Sequence, residues 1–154
     1  MNSDNLLNPE AFWQFSCELY ALPGVKELCL DAQNRLCLNV NILLLCQWLT
    51  HHGKSISVEG FIRLQEAIAE SENTLLSLRQ KRNSLIKAST EYKTALQNEL
   101  DWEMKQQQTL IKTLAKATRV NASEHCLYSY IQSRDPSLIL EAEKLKQVLE
   151  QSAV

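Results

Sequence analysis

The chain has 154 residues, of which 45% are hydrophobic, and its formal net charge is -2. A chain of this size can bury the core of one globular domain, and without a basic excess it is unlike a dedicated nucleic-acid-binding module. Gly and Pro occur three times each, which is too few for the many turns of a β-rich fold. We therefore expect a single all-α domain over residues 1–154, built as a helical bundle.

Three N-terminal helices are expected, at residues 8–21, 24–36 and 40–52. Asn8 is a helix N-cap because Pro9 follows it at the first helical position, and Asn39 can cap the third helix in the same way. The third helix is apolar nearly all round as far as Leu49, so it must be surrounded by protein. We predict a compact three-helix core over 8–53.

A long antiparallel helical hairpin is expected over 57–120. From Phe61 onward, apolar side chains recur at alternating steps of three and four, which is typical of near-antiparallel packing between long helices. The expected parts are a helix at 58–88, a turn at 89–91 and a helix at 91–119. A break near Ser71 to Thr74 is left open, since Asn73 could cap a new helix.

The last part of the chain, 121–152, is expected to form C-terminal helices. A short helix is predicted at 124–133. Asp135 then caps the last helix and Pro136 takes its first position. The apolar stripe of that helix faces the rest of the bundle.

One stretch of the N-terminal region has a specific pattern. Its motifs are Phe12-Trp13-Gln14-Phe15-Ser16, Leu19-Tyr20, Pro23-Gly24-Val25 and the run Asn39-Val40-Asn41-Ile42-Leu43-Leu44-Leu45-Cys46-Gln47-Trp48-Leu49. The stretch resembles a proteobacterial family of small helical proteins of unknown function, with the pattern F-W-x-F-S, L-Y, P-G-V, L-Q-D, G-x-D-V-N-L-L-L-F and W. The close match covers about residues 12–49. The resemblance implies a bacterial, cytoplasmic, helical protein and implies no activity.

This sequence departs from the family pattern at two positions. Asn34 and Asn39 stand where the pattern has Asp. Both replacements keep the ability to form hydrogen bonds, and both remove a carboxylate. A catalytic role for acids at these positions is therefore not expected in this chain.

The cysteines indicate a reducing compartment. There are five, an odd number, and the polar N-terminus has no basic start followed by an apolar run, as a secretory signal would. We expect reduced core thiols in a cytoplasmic protein. The most apolar window, Val40 to Leu49, is too short to span a bilayer.

Aromatic and amide side chains of the N-terminal core form a candidate ligand pocket. An apolar pocket with a few convergent amides would suit a small planar ligand. The candidate residues are Trp13, Tyr20, Gln33, Asn39, Asn41 and Trp48. The alternative, which we favour, is that these amides cap helices and satisfy backbone groups.

Cations of the hairpin form a candidate docking surface for RNA, anionic lipid or an acidic protein. The candidate residues are Arg79, Arg82, Lys105, Lys112, Lys116 and Arg119. The alternative is that they compensate helix dipoles and form pairs along the helix. We favour this alternative, because the aromatic residues that would stack on bases are absent.

No catalytic or metal-binding residues are predicted. Adjacent histidines at His51 and His52 project in different directions on a helix and make a poor chelate. The pair His125 and Cys126 lacks an identifiable third group to orient it. Cysteine spacings do not fit a zinc site, and a di-iron bundle would need paired E-x-x-H motifs. We expect no cofactor, and a non-enzyme is favoured.

The predicted function is a non-enzymatic interaction or adaptor module. Its coiled-coil-like hairpin would bind another protein or a second copy of the chain, because the hairpin is longer than a compact core needs. One alternative is a small-molecule-binding protein or unfamiliar enzyme with its site at the aromatic and amide cluster. A third is an RNA- or ribosome-associated factor.

Overall fold

The computed structural model describes residues 5–122 and 125–152. Within these ranges it contains eight α-helices, a short 3-10 helix and one two-stranded sheet. The helices are α1 Pro9–Tyr20, α2 Val25–Leu36, α3 Val40–His51, α4 Val58–Ala67, α5 Ala69–Asn83, α6 Thr90–Leu114, α7 Leu127–Arg134 and α8 Ile139–Ser152, with the 3-10 helix at Pro136–Leu138. The predicted all-α helical bundle is confirmed.

The N-terminal helices begin where the sequence predicts. The Asn8 side chain accepts hydrogen bonds from the backbone of Glu10 at 2.9 Å and of Ala11 at 3.2 Å. The Asn39 side chain accepts one from Ile42 N at 2.8 Å. Each bond satisfies an amide at a helix start that has no intrahelical partner.

Helix α3 lies at the centre of the hydrophobic core. Every residue from Asn41 to Leu49 is buried, as a helix that is apolar all round requires. Helices α1, α2, α6 and α7 pack around it. Within the described ranges, each helix is too short or too polar to cross a membrane.

The predicted helix at 58–88 is wrong in two respects, because the structure divides it into α4 and α5 and α5 ends at Asn83. The division falls at Ile68, whose backbone has φ -104° and ψ 7°, and not near Ser71 to Thr74. The Ile68 side chain is buried in the core and holds the joint in place. Helix α4 packs on α7 and α6, whereas α5 packs along α6. The hairpin is therefore formed by α5 and α6.

The small sheet was not predicted. Strand β1, Lys54–Ser55, pairs antiparallel with strand β2, Val120–Asn121. The Lys54 ammonium also donates to Asn121 Oδ1 at 2.8 Å. Two-residue strands have no periodicity that a sequence pattern can reveal. The pairing ties the chain after α6 to the connection between α3 and α4.

The C-terminal helices close the bundle. Helix α7 begins at Leu127, after the predicted start at Glu124, which lies outside the described residues. The Asp135 carboxylate accepts from Ser137 N at 3.1 Å and caps the 3-10 helix that precedes α8. Helix α8 packs on α7 and α2, and Arg35 of α2 donates to Glu141 at 3.1 Å.

Candidate functional site

Helix α6 has two halves with different surroundings. In its C-terminal half, Gln107, Ile111 and Leu114 are buried against the core. In its N-terminal half, side chains at equivalent helical positions are exposed to solvent. We call the N-terminal half of α6, with the facing part of α5 and the turn between them, the distal hairpin (residues 76–104).

An ion pair joins the two helices of the distal hairpin. Arg82 of α5 donates through Nη2 to Glu99 Oε1 of α6 at 3.3 Å and also contacts the other carboxylate oxygen through Nε. Its Nη1 donates to the Tyr92 hydroxyl at 3.3 Å. Glu99 is only 6% exposed. Hydrogen bonding to Glu99 raises the pKa of Arg82, against the opposing effect of burial.

A second group of charges lies where the hairpin leaves the core. Arg79 is 3.8 Å from Glu103 and 4.0 Å from Glu72, measured from guanidinium nitrogen to carboxylate oxygen. Burial raises the pKa of Glu103, and the positive charge of Arg79 opposes that shift. Burial likewise raises the pKa of Tyr20 to about 12. The charges of Glu103 and Arg79 also act on the Tyr20 hydroxyl, and α1 packs on α6, so the end of α1 lies close to this part of the hairpin.

A buried amide network attaches the hairpin to α3. Asn39 Nδ2 donates to Glu72 Oε2 at 2.7 Å and to Gln106 Oε1 at 3.0 Å. Asn41 Nδ2 donates to the same Gln106 oxygen at 2.9 Å. The Asn41 carbonyl accepts from Gln107 Nε2 at 3.1 Å. Sequence reasoning did not name Gln106 and Gln107 as site residues. Two adjacent amides within the apolar repeat of α6 are nevertheless a signal for buried hydrogen bonding.

Two acceptor atoms of this network, Glu72 Oε1 and Gln107 Oε1, have no hydrogen-bond partner among the described residues. Gln107 is 1% exposed, and its Nε2 also donates to Ser16 at 3.0 Å. Its Oε1 is buried and has no hydrogen-bond partner among the described residues. A buried acceptor in this condition is destabilising, so the position next to Asn41 has unused hydrogen-bonding capacity.

The structure brings only part of the predicted pocket together. Asn39 and Asn41 meet at Gln106. Trp48 lies two turns further along α3, where its indole N–H donates to Leu6 O at 2.9 Å and its ring packs against Phe12 and Phe15. The other three, Trp13, Tyr20 and Gln33, are half-buried. The pocket stays a prediction.

The predicted docking cations have three different environments. Arg79 and Arg82 lie in the ion pairs described above. Arg119 donates to the Leu114 carbonyl at 2.9 Å, at the C-terminal end of α6. Lys105, Lys112 and Lys116 are exposed, and the Lys105 ammonium lies 4.7 Å from the centre of the Trp102 ring. The docking surface also stays a prediction.

The predicted core thiols have two different environments. Cys29, Cys46 and Cys126 are buried, whereas Cys17 and Cys37 are exposed. The Cys126 thiol donates to the Cys46 carbonyl at 3.2 Å. All five cysteines are free in the structure.

Several exposed apolar side chains of the hairpin helices lie on the helix face that is buried against the core nearer the C-terminal end of α6. Leu96, Leu100 and Met104 of α6 are 43%, 42% and 36% exposed, and Leu76 of α5 is 53% exposed. The three α6 positions follow one another every four residues and continue the stripe of Gln107 and Ile111. The apolar repeat that predicts the hairpin includes these positions, but the repeat does not reveal that they are exposed.

These features define a class: an all-α helical bundle with a hairpin that extends beyond its core and an exposed apolar face on that hairpin. The chain belongs to the family described as "Protein of unknown function (DUF2390)", whose pattern matches residues 11–110. The match extends well past residues 12–49 and includes the whole distal hairpin. Searches of curated proteins and of solved structures found no match.

Proposed function

We propose that this chain is a non-enzymatic interaction module that binds a protein through its distal hairpin. The observation that carries the proposal is the exposure of Leu96, Leu100 and Met104 on a helix face that is buried in the other half of α6. A contiguous exposed apolar patch marks an interaction site more often than scattered apolar residues do. We call Leu76, Leu96, Leu100 and Met104 the apolar face.

Both helices of the hairpin contribute to this face. On α5, Leu76 lies one turn after Glu72, which contacts Asn39 of the core. On α6, Met104 lies three residues before Gln107, and Gln107 contacts Asn41 of the core. Residues three and four apart share a helix face. The apolar face is therefore an extension of the surface with which the hairpin contacts the core.

The internal ion pairs support a binding role for the apolar face rather than for the arginines. Arg82 and Glu99 hold α5 against α6 at the level of Leu96 and Leu100. A face presented by two fixed helices loses little conformational entropy on binding. The hairpin is therefore suited to bind without a large rearrangement.

Capture of partners in cells tests the proposal. A photo-reactive amino acid is introduced at Gln97, which is exposed beside the apolar face. We expect covalent adducts with a specific protein in the wild-type background, and their loss in L100D. The matched control is L140D, because Leu140 is 75% exposed on α8. Adducts that are equally abundant in both variants contradict the proposal.

A small-molecule-binding role is the second candidate, and the orphan Gln107 oxygen favours it. A ligand donor placed there would satisfy that oxygen within the cluster of Tyr20, Asn39 and Asn41. Native mass spectrometry of the protein isolated from its own cells tests this. A mass excess that N41L abolishes supports the second candidate, and the bare chain mass contradicts it.

We also propose a bacterial cell and the cytoplasm as the location. The resemblance of the N-terminal motifs and the five free cysteines support this, because thiols stay reduced in that compartment. RNA association is the third alternative, supported by the exposed Lys112 and Lys116. A binding constant that is insensitive to salt concentration would contradict it.

A further inference from the structure

The exposed half of α6 has a self-complementary pattern. Leu96 and Leu100 are placed symmetrically about residue 98, and so are Lys93 and Glu103. When two identical helices pack antiparallel about a two-fold axis at that residue, each position contacts its symmetric counterpart. The pattern therefore pairs leucine with leucine and lysine with glutamate.

We propose that the protein bound by the apolar face is a second copy of this chain, packed antiparallel along α6. This inference rests on the proposed function and names its partner. Leu96 packs on Leu100 of the partner subunit. Lys93 binds Glu103 of the partner subunit. By symmetry each contact occurs twice, as in other two-fold interfaces.

The helix faces agree with this arrangement. Positions 93, 96, 100 and 103 are spaced by three, four and three residues, which is the spacing of the contacting seam in antiparallel coiled coils. Leu96, Leu100 and Lys93 are exposed, so they are accessible to a second chain. A stretch of seventeen residues from 90 to 106 gives a contact about 25 Å long.

The charges favour a second copy over an unrelated helix. The Glu103 carboxylate is 3.8 Å from the Arg79 guanidinium, which is longer than a hydrogen bond of about 3 Å. Glu103 therefore keeps hydrogen-bonding capacity for an incoming ammonium. Lys93 lies on the same seam at the matching distance from the axis. An unrelated partner would need the same two charges at the same separation.

The shape of the chain permits the arrangement. The core begins to cover α6 at Gln106, and the symmetric counterpart of that position is Thr90, the first residue of α6. The helical contact of each subunit therefore ends at the level where the core of the other begins. The turn with Ile86, which is 77% exposed, then lies against the core of the partner subunit.

Zero-length crosslinking tests the register directly. A carbodiimide joins a lysine amine to a carboxylate only when the two are in contact. Within one helix, Lys93 and Glu103 are about 15 Å apart along the axis, so a Lys93–Glu103 crosslink must join two chains. We expect this crosslink in full-length protein, with mixed labels when ¹⁵N-labelled and unlabelled chains are combined. A dimer that crosslinks elsewhere and lacks this product overturns the proposal.

Sedimentation equilibrium of the full chain tests the association. We expect a monomer–dimer equilibrium in the wild type and in L140D. We expect L100D to raise the dissociation constant by roughly tenfold or more, because the buried contact is lost twice. Circular dichroism verifies that both variants keep their helix content.

The outcomes separate the two proposals. A wild-type chain that is monomeric at all accessible concentrations overturns self-association, as does an L100D dimer of unchanged affinity. If Gln97 then forms Leu100-dependent adducts with an unrelated protein, the proposed function stands and its partner is a different chain. If Gln97 forms no such adducts with any protein, both proposals are wrong.

Discussion

The His125 imidazole donates through Nε2 to the Gln47 carbonyl, with 2.9 Å between the two atoms. The tautomer follows from the other ring nitrogen, because Nδ1 accepts the backbone N–H of Leu127 at 3.1 Å. Both ring nitrogens of the neutral imidazole are thus used. Addition of a proton at Nδ1 would place two donors against each other.

Stability should therefore fall as the pH drops below neutrality. Burial lowers the pKa of His125, and also that of His52, below the ordinary value. In the unfolded chain these two histidines bind protons near pH 6.5, whereas in the folded chain they stay neutral at that pH. Unfolding becomes more favourable as the pH falls through 6.5 toward the lower pKa of the folded state. Urea titrations at pH 7.5 and 6.0 measure this loss.

The matching variant is H125N, which removes a titrating group. We expect lower stability at pH 7.5 and a smaller difference between the two pH values than in the wild type. The raised pKa of Glu103 makes the folded state more stable as the pH falls, which opposes the effect of the histidines. Glu103 is present in both the wild type and H125N, so it does not affect their comparison. An unchanged pH difference in H125N would contradict a role for His125.

The ion pair between Arg82 and Glu99 should stabilise the hairpin. E99Q keeps the shape of the side chain and leaves the Arg82 charge half-buried without its counter-ion. We expect a loss of about 1–3 kcal/mol in the free energy of unfolding, since removing one partner of a shielded pair is destabilising.

The control for E99Q is E59Q. Glu59 and Arg63 form an exposed pair at 3.8 Å, with two thirds of each side chain accessible. Such pairs contribute little, so chemical denaturation of E59Q should match that of the wild type. Equal effects of the two substitutions would show that burial of Glu99 has no consequence.

The two asparagine caps should differ in their effect on stability. N39A removes a cap and two side-chain bonds to the hairpin, and we expect a loss of about 2–3 kcal/mol. N8A removes only an exposed cap, and we expect about 1 kcal/mol. Urea denaturation of both variants measures the difference. If N8A were the more destabilising, the amide network would not stabilise the junction.

Cys37 is the non-glycine residue with a left-handed backbone among the described residues, with φ 56° at the end of α2. Glycine adopts this conformation without steric penalty, so C37G should raise the free energy of unfolding by up to about 1 kcal/mol. The control C17G replaces an exposed cysteine inside α1 and should lower it by about 1 kcal/mol. Thermal unfolding of both variants under reducing conditions checks the signs.

Local chemistry in the sequence determined the helical class and most helix starts. Asn8 with Pro9 and Asn39 could be assigned from sequence because a cap acts on amides two or three residues away. Asp135 with Pro136 was assigned to the last helix, but it begins the 3-10 helix that precedes α8. The apolar run from Asn41 to Leu49 likewise predicted the centre of the core.

Only the tertiary structure decided where the long helix divides and which part of the α6 stripe is covered. Ile68 has no Gly or Pro beside it. The division arises because α4 and α5 pack against different helices. Leu100 and Ile111 belong to one helical stripe, yet Leu100 is exposed and Ile111 is buried. The reason is that periodicity describes a face of a helix, whereas exposure depends on how far the neighbouring helices extend along it.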